Sequence, residues 1–163
     1  MIYSKKLQTF IPVNIEKKVH NLQDFGNFTI YTVKDNKIPV GKVHLTDNQQ
    51  GVKVEYIENM NPQLYSGFGK LADQLEVEHC IQRGLTNFQI TSEAALNSHA
   101  LHYLRGKRFY SEYAEQEVLR VIKETPKGEQ FYTKFLGKVR MFMPQELIEK
   151  YLTIIKKNPL ILK

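Results

Sequence analysis

The sequence predicts an α/β fold with a largely antiparallel sheet, built as one domain across residues 1–163. Two observations carry that prediction. Residues 27–59 hold three runs of alternating apolar and polar residues separated by turn-forming stretches, the pattern of a three-stranded antiparallel meander. The rest of the chain turns to helical periodicity with strand-like runs between, and has no repeat, low-complexity tract or linker to divide it.

Taken in order, residues 11–24, IPVNIEKKVHNLQD, have room for a strand or one short helix. NFTIYTVK (27–34) sets Phe28, Ile30 and Thr32 against Thr29, Tyr31 and Val33. The turn DNKIP leads into VGKVHLTD (40–47), and DNQQG into GVKVEYIEN (51–59), two further strands. GKLADQLEVEHCIQR (69–83) places Leu71, Ala72 and Leu75 on one helical face and runs into Gly84, a helix-ending residue. LTNFQITS (85–92) reads as strand and NSHALHYLRGK (97–107) as helix. YAEQEVLRVIKET (113–125) fits a helix through Ala114, Val118, Leu119 and Ile122, while VLRVIK within it also fits a strand. KVRMFM (138–143) is a strand. PQELIEKYLTIIKKN (144–158) is the best-specified helix: Pro144 suits a first turn, acids lead, and Lys156 and Lys157 close. Its Leu147, Ile148, Tyr151, Leu152 and Ile155 form one apolar stripe for the core.

With 42% hydrophobic and 25% charged residues, the chain can bury a real core. No apolar run is long enough to span a bilayer, so no membrane partner is expected, and MIYSKKLQTF lacks the apolar centre of a signal peptide. The single cysteine, Cys80, cannot close an internal disulfide and reads as a small buried hydrophobe; the expected compartment is the cytoplasm. The net charge of +6 arises in residues 101–163, with thirteen Lys/Arg against seven Asp/Glu, whereas residues 1–100 hold ten of each. That bias suits a polyanionic ligand, but it is scattered and not the dense basic block that nucleic-acid binding asks for. His79, His99 and His102 share no ligand spacing with Cys80, and no metal site is expected.

The stretch NPQLYSGFGKLADQL (61–75) raises the functional question. It sets Gly67 and Gly69 between a strand and a helix, where glycine weakens the helix without evident gain. A helix start offers unpaired N–H groups and a positive dipole end, and glycines let an anion come close to both. GFGKLA lacks the third glycine of a dinucleotide-binding fingerprint, and GKL lacks the Ser/Thr of a nucleotide-triphosphate loop.

From Val40 to Phe109 the sequence resembles the GCN5-related N-acetyltransferase family, in which an (Arg/Gln)-x-x-G-x-(G/A) loop binds the pyrophosphate of acetyl-CoA through backbone N–H groups. Gly67 and Gly69 match the loop glycines, Gly84 the helix-ending glycine, Asn97 and Ala100 the N-x-x-A helix start, and Phe109 the closing phenylalanine. The departures are Leu64 at the loop-opening Arg/Gln, Arg108 in place of the glycine before Phe109, and Leu104 at the family's tyrosine, with Tyr103 one residue earlier. The N-terminal region is also short for the family's usual pair of helices.

The resemblance implies a mixed, largely antiparallel sheet with helices on both faces, and acetyl-CoA as co-substrate. Backbone at Ile57 and Asn59, the loop residues Tyr65, Ser66, Gly67, Phe68, Gly69 and Lys70, and Asn97 would hold that cofactor. Glu55 and Glu58 would act as base, directly or through water, and Tyr103 would protonate the departing thiolate. Each has a structural alternative: Glu55 and Glu58 as solvated strand acids, Asn97 as a helix cap, and His44, a further candidate base, as a hydrogen-bonded strand histidine. The acceptor would be a small-molecule or peptide amine, and a homodimer is compatible with the family. Two rivals stand beside the enzyme: a non-catalytic acyl-CoA-binding module with the same fold, and a basic nucleic-acid-binding protein.

Overall fold

Alternating residues in the first third of the chain become strands because one set can be buried while the other faces water. The computed structural model describes residues 1–21, 23, 26–94, 98–135 and 138–161. In chain order the elements are β1 (Ile2–Ser4), β2 (Thr9–Ile11), β3 (Asn14–Asn21), β4 (Asn27–Asp35), β5 (Ile38–Asn48), β6 (Gly51–Asn59) and β7 (Tyr65–Ser66). There follow α1 (Phe68–Gln82), β8 (Gln89–Ala94), α2 (His99–Leu104), β9 (Arg108–Phe109), α3 (Glu112–Glu124), β10 (Val139–Phe142) and α4 (Gln145–Lys157).

Among the described residues the large sheet runs β3-β4-β5-β6-β8-β10-β9, and β6–β8 is its parallel pair in an otherwise antiparallel ladder. A small sheet, β2-β1-β7, ties the N-terminus to the segment before α1. The mixed, largely antiparallel sheet expected from the sequence is present.

The main core packs Tyr31, Val43, Leu45 and Ile90 of the sheet against Leu71, Ala72, Leu75 and Val77 of α1 and Ile148 and Tyr151 of α4. A second cluster joins Ala94, Phe109 and Met141 to Ala100 of α2 and Ala114 and Val118 of α3. Val54 pairs with Ser92, and Ser92 with Met141, so the sheet residues of both clusters lie on one side of the sheet. The described helices pack against that side. The opposite side carries a row of rings, His20, Phe28, His44 and Tyr56, with successive centroids 6.3, 5.5 and 5.5 Å apart. The segment in which the family has its helix pair is here taken by β2 and β3.

Several boundaries move for local reasons. Residues 85–88 stay outside β8, where Asn87 takes the left-handed conformation at φ 51°. Residues 113–125 resolve as helix: Ser111 caps α3, its Oγ accepting from Ala114 N at 3.3 Å. Pro144 stands just before α4, in extended backbone, and not in its first turn. Beyond α4 the chain is held by Glu78 of α1, whose carboxylate accepts from Leu160 N at 2.8 Å and Ile161 N at 2.8 Å. Cys80 is fully buried, and burial pushes its thiol up to about 12, as befits an inert core residue.

Candidate active site

The site begins with a break in the sheet. His44 pairs with Tyr56 and Leu45 with Val54, so Glu55 is an extra residue in β6. Such a bulge bends its strand and interrupts pairing. The β6–β8 ladder ends at the same place, its last pair being Val54 with Ser92. Beyond it the two strands part around a cavity of about 580 Å³, lined among others by Glu55, Tyr56, Ile57, Ser92, His102 and Arg105. Ser92 is 3% exposed, and its Oγ has no hydrogen-bond partner among the described residues. A buried hydroxyl left so is costly without a ligand or water to satisfy it.

The two glycines at the start of α1 do different work. Gly67 sits at φ 90°, which a side chain disfavours, and it turns the chain from β7 into the helix. At Gly69 the demand is for space: a Cβ there would lie 2.7 Å from Cζ and Nη1 of Arg105. The guanidinium of α2's C-cap residue thus rests on the first turn of α1. On the far side of Arg105 lies a second cavity of about 460 Å³, which Lys70, Leu104, Lys150 and Tyr151 also line.

Under this turn lies a buried ionic cluster. Arg105 Nε donates to Asp73 Oδ2 at 2.9 Å, and Lys107 Nζ lies 3.2 Å from Asp73 Oδ1 and 3.0 Å from Glu76 Oε2. Tyr151 adds its hydroxyl to Asp73 Oδ2 at 3.4 Å. Burial would raise Asp73, but Lys107 and Arg105 outweigh it and hold the carboxyl below its usual value. Burial prevails at Glu76 and lifts it to about 7. Burial opposes the Lys107 ammonium, yet Glu76 and Asp73 hold its pKa above the ordinary lysine value. His102 Nδ1 lies 2.7 Å from Arg105 Nη2; burial first, then Arg105 and Lys107, push the imidazole down to about 3, so it accepts as a neutral ring.

The expected site residues are distributed as follows. Glu55 lines the first cavity, accepts from Thr46 Oγ1 at 2.7 Å and lies 3.6 Å from Lys53 Nζ. Ile57 lines it too. Glu58 is part-buried, paired across the sheet with Lys42. Asn59 ties β6 to the glycine turn, its Nδ2 donating to Tyr65 O at 2.8 Å and its Oδ1 accepting from Asn61 N at 3.1 Å. Tyr65 donates its hydroxyl to Asp35 at 2.8 Å, and Ser66 pairs with Tyr3 of β1. Phe68 is buried in the core, and Lys70 is exposed at the second cavity. Asn97 lies outside the described residues. Tyr103 donates its hydroxyl to Glu115 of α3 at 3.0 Å and stacks on Phe109, with Arg108 4.7 Å from its ring centroid. Burial, then Glu115, raises its pKa. His44 sits in the ring row, its pKa lowered by burial and then by Lys42.

Sequence reasoning passed over Arg105, Asp73, Glu76, Lys107 and Ser92. A faint signal existed: Asp73 and Glu76 share the helical face of Ala72 and Leu75, a place for carboxylates only when cations meet them. Among the described residues no cluster of ligating side chains could hold a metal ion, and no helix is long and apolar enough to cross a membrane.

No family model matches the chain, and no curated protein matches it. Solved structures do. An acetyltransferase from Bacillus subtilis in complex with CoA is 19% identical, with a TM-score of 0.47 over 80% of this chain and 97% of that one. A GNAT family acetyltransferase from Elizabethkingia anophelis with acetyl-CoA bound is 13% identical, with a TM-score of 0.49 over 80% and 97%. An IAA acetyltransferase from Bacillus cereus is 16% identical, with a TM-score of 0.46 over 71% and 77%.

Proposed function

We propose that the chain is an acyl-CoA-dependent N-acyltransferase that moves an acetyl group from acetyl-CoA to an amine. The observation that carries this reading is the fork between β6 and β8. There a strand edge is freed inside a sheet, beside a cavity with an unsatisfied Ser92 hydroxyl and next to the glycine turn. The amides of a pantetheine arm can pair with such an edge as an added strand does. The diphosphate then meets the N–H groups of residues 67–70, and the cationic second cavity suits the remaining phosphate.

The thioester comes to rest at the fork. The amine nitrogen attacks its carbonyl carbon, the C–S bond breaks, the amine proton passes to a base and the thiolate takes a proton. Glu55, which lines the cavity, is the nearer base; Glu58 serves through water. Tyr56 and Glu55 belong to the side of the sheet opposite α1, and the acceptor approaches from there.

A second reading, a non-catalytic acyl-CoA-binding module, is favoured by one observation: the Tyr103 hydroxyl is engaged by Glu115 and Tyr103 is not among the cavity's lining residues. Calorimetry with acetyl-CoA, followed by release of free CoA thiol in the presence of a panel of small and peptide amines, separates the two. Binding with no amine-dependent thiol release supports the module, and absence of binding removes both.

A further inference from the structure

We propose that Arg105 grips the phosphate-bearing elbow of the ligand, supplying from α2 the side-chain donor that the glycine loop lacks at Leu64; this rests on the acyl-CoA reading above. Arg105 lines both cavities, so a ligand long enough to occupy the two passes its guanidinium. The guanidinium already lies on the first turn of α1, its Cζ and Nη1 each 2.7 Å from where a Gly69 Cβ would stand. An anion at that turn therefore meets a planar fork of donors as well as backbone N–H groups.

Its anchors leave it capacity. Nε is spent on Asp73 and Nη2 on neutral His102, while Nη1 has no hydrogen-bond partner among the described residues. Asp73 does not depend on Arg105 alone, since Lys107 Nζ stands 3.2 Å from Oδ1 and Tyr151 Oη 3.4 Å from Oδ2. The guanidinium can thus turn toward a phosphate without stranding a buried carboxylate. Lys70 and Lys150 line the second cavity with it, and among the described residues that lining contains no carboxylate. The unsatisfied Ser92 hydroxyl in the first cavity independently points to a ligand there.

The test compares CoA with pantetheine, the same arm without phosphates, by calorimetry on the full chain. Arg105→Gln is expected to weaken CoA binding at least tenfold and to flatten its salt dependence, while pantetheine affinity stays within about twofold. Thermal melts check the fold. If Arg105→Gln does not fold, Arg105→Lys decides, since it keeps a charge for Asp73 but loses the fork; a several-fold loss for CoA alone is expected. CoA binding equal to wild type in a folded variant, or equal losses for both compounds, overturns the role. A wild-type chain that takes up neither compound removes the acyl-CoA reading, and this role with it.

Discussion

Lys107 Nζ stands 3.2 Å from Asp73 Oδ1 with both side chains sealed from solvent. With Glu76 at 3.0 Å, one buried cation holds two buried carboxylates together. Removing a single partner from such a group leaves uncompensated charge, which costs about 3–5 kcal/mol. Lys107→Met is expected to lose that much in urea melts, and adding Glu76→Gln to recover part of it. A midpoint within experimental error of wild type would mean that the cluster is not the keystone its burial indicates.

The two glycines should fail differently. Gly67→Ala forces a side chain into the left-handed region, a cost of about 1–2 kcal/mol that no neighbouring substitution relieves. Gly69→Ala collides with Arg105, so its cost should fall when Arg105 is shortened to Ala in the same chain. Strict additivity of Gly69→Ala and Arg105→Ala in a double-mutant cycle would contradict the packing.

His102 predicts a pH dependence of defined sign. The folded chain holds it neutral down to about 3, whereas the unfolded chain protonates it near its ordinary pKa of about 6.5. Between those values the unfolded state binds the extra proton, so stability is lost as pH falls below about 6.5. From pH 7 to pH 5 the loss from this residue is about 1–2 kcal/mol. His79, lowered chiefly by burial and bonded to Tyr31 at 2.7 Å and Asp47 at 2.6 Å, acts in the same direction. Urea midpoints at the two pH values should converge in His102→Gln relative to wild type; parallel shifts would remove His102 as the cause.

On the proposed reaction, Tyr103→Phe and Ser92→Ala form an informative pair. The Tyr103 hydroxyl bonds Glu115, so its loss should leave turnover within about twofold and cost about 1 kcal/mol of stability. Ser92 offers the cavity a buried hydroxyl with no hydrogen-bond partner among the described residues, and Ser92→Ala should lower turnover without a matching loss of stability. A tenfold fall in turnover for Tyr103→Phe at unchanged acetyl-CoA affinity would restore it as the proton donor.

The α4 stripe predicts a graded series. Ile148 is 4% exposed and belongs to the main core, whereas Leu152 is only part-buried against it. Ile148→Ala should cost about 2–4 kcal/mol and Leu152→Ala about half as much, read as denaturant midpoints. Equal and negligible costs with a change in sedimenting mass would recast α4 as an association surface.

What the sequence determined by itself was whatever has a local period. β4, β5 and β6 were legible because alternation repeats over nine or more residues in each, and α1 and α4 because an apolar face recurs beside a boundary residue, Gly84 after α1 and Pro144 before α4. The glycine turn was legible as a place for an anion, since helix ends have the same unpaired donors in any fold. β1, β2, β7 and β9, at two or three residues each, are too short to show a period and exist only because a partner strand is nearby. The bulge at Glu55 is a property of the register between β5 and β6, and the fork it opens is one of β6 against β8; neither is written in one segment. The charge cluster is less local still. Asp73 and Glu76 look like misplaced acids on an apolar helical face until the tertiary fold brings Arg105 and Lys107, some thirty residues away, close enough for Coulomb attraction to outweigh desolvation.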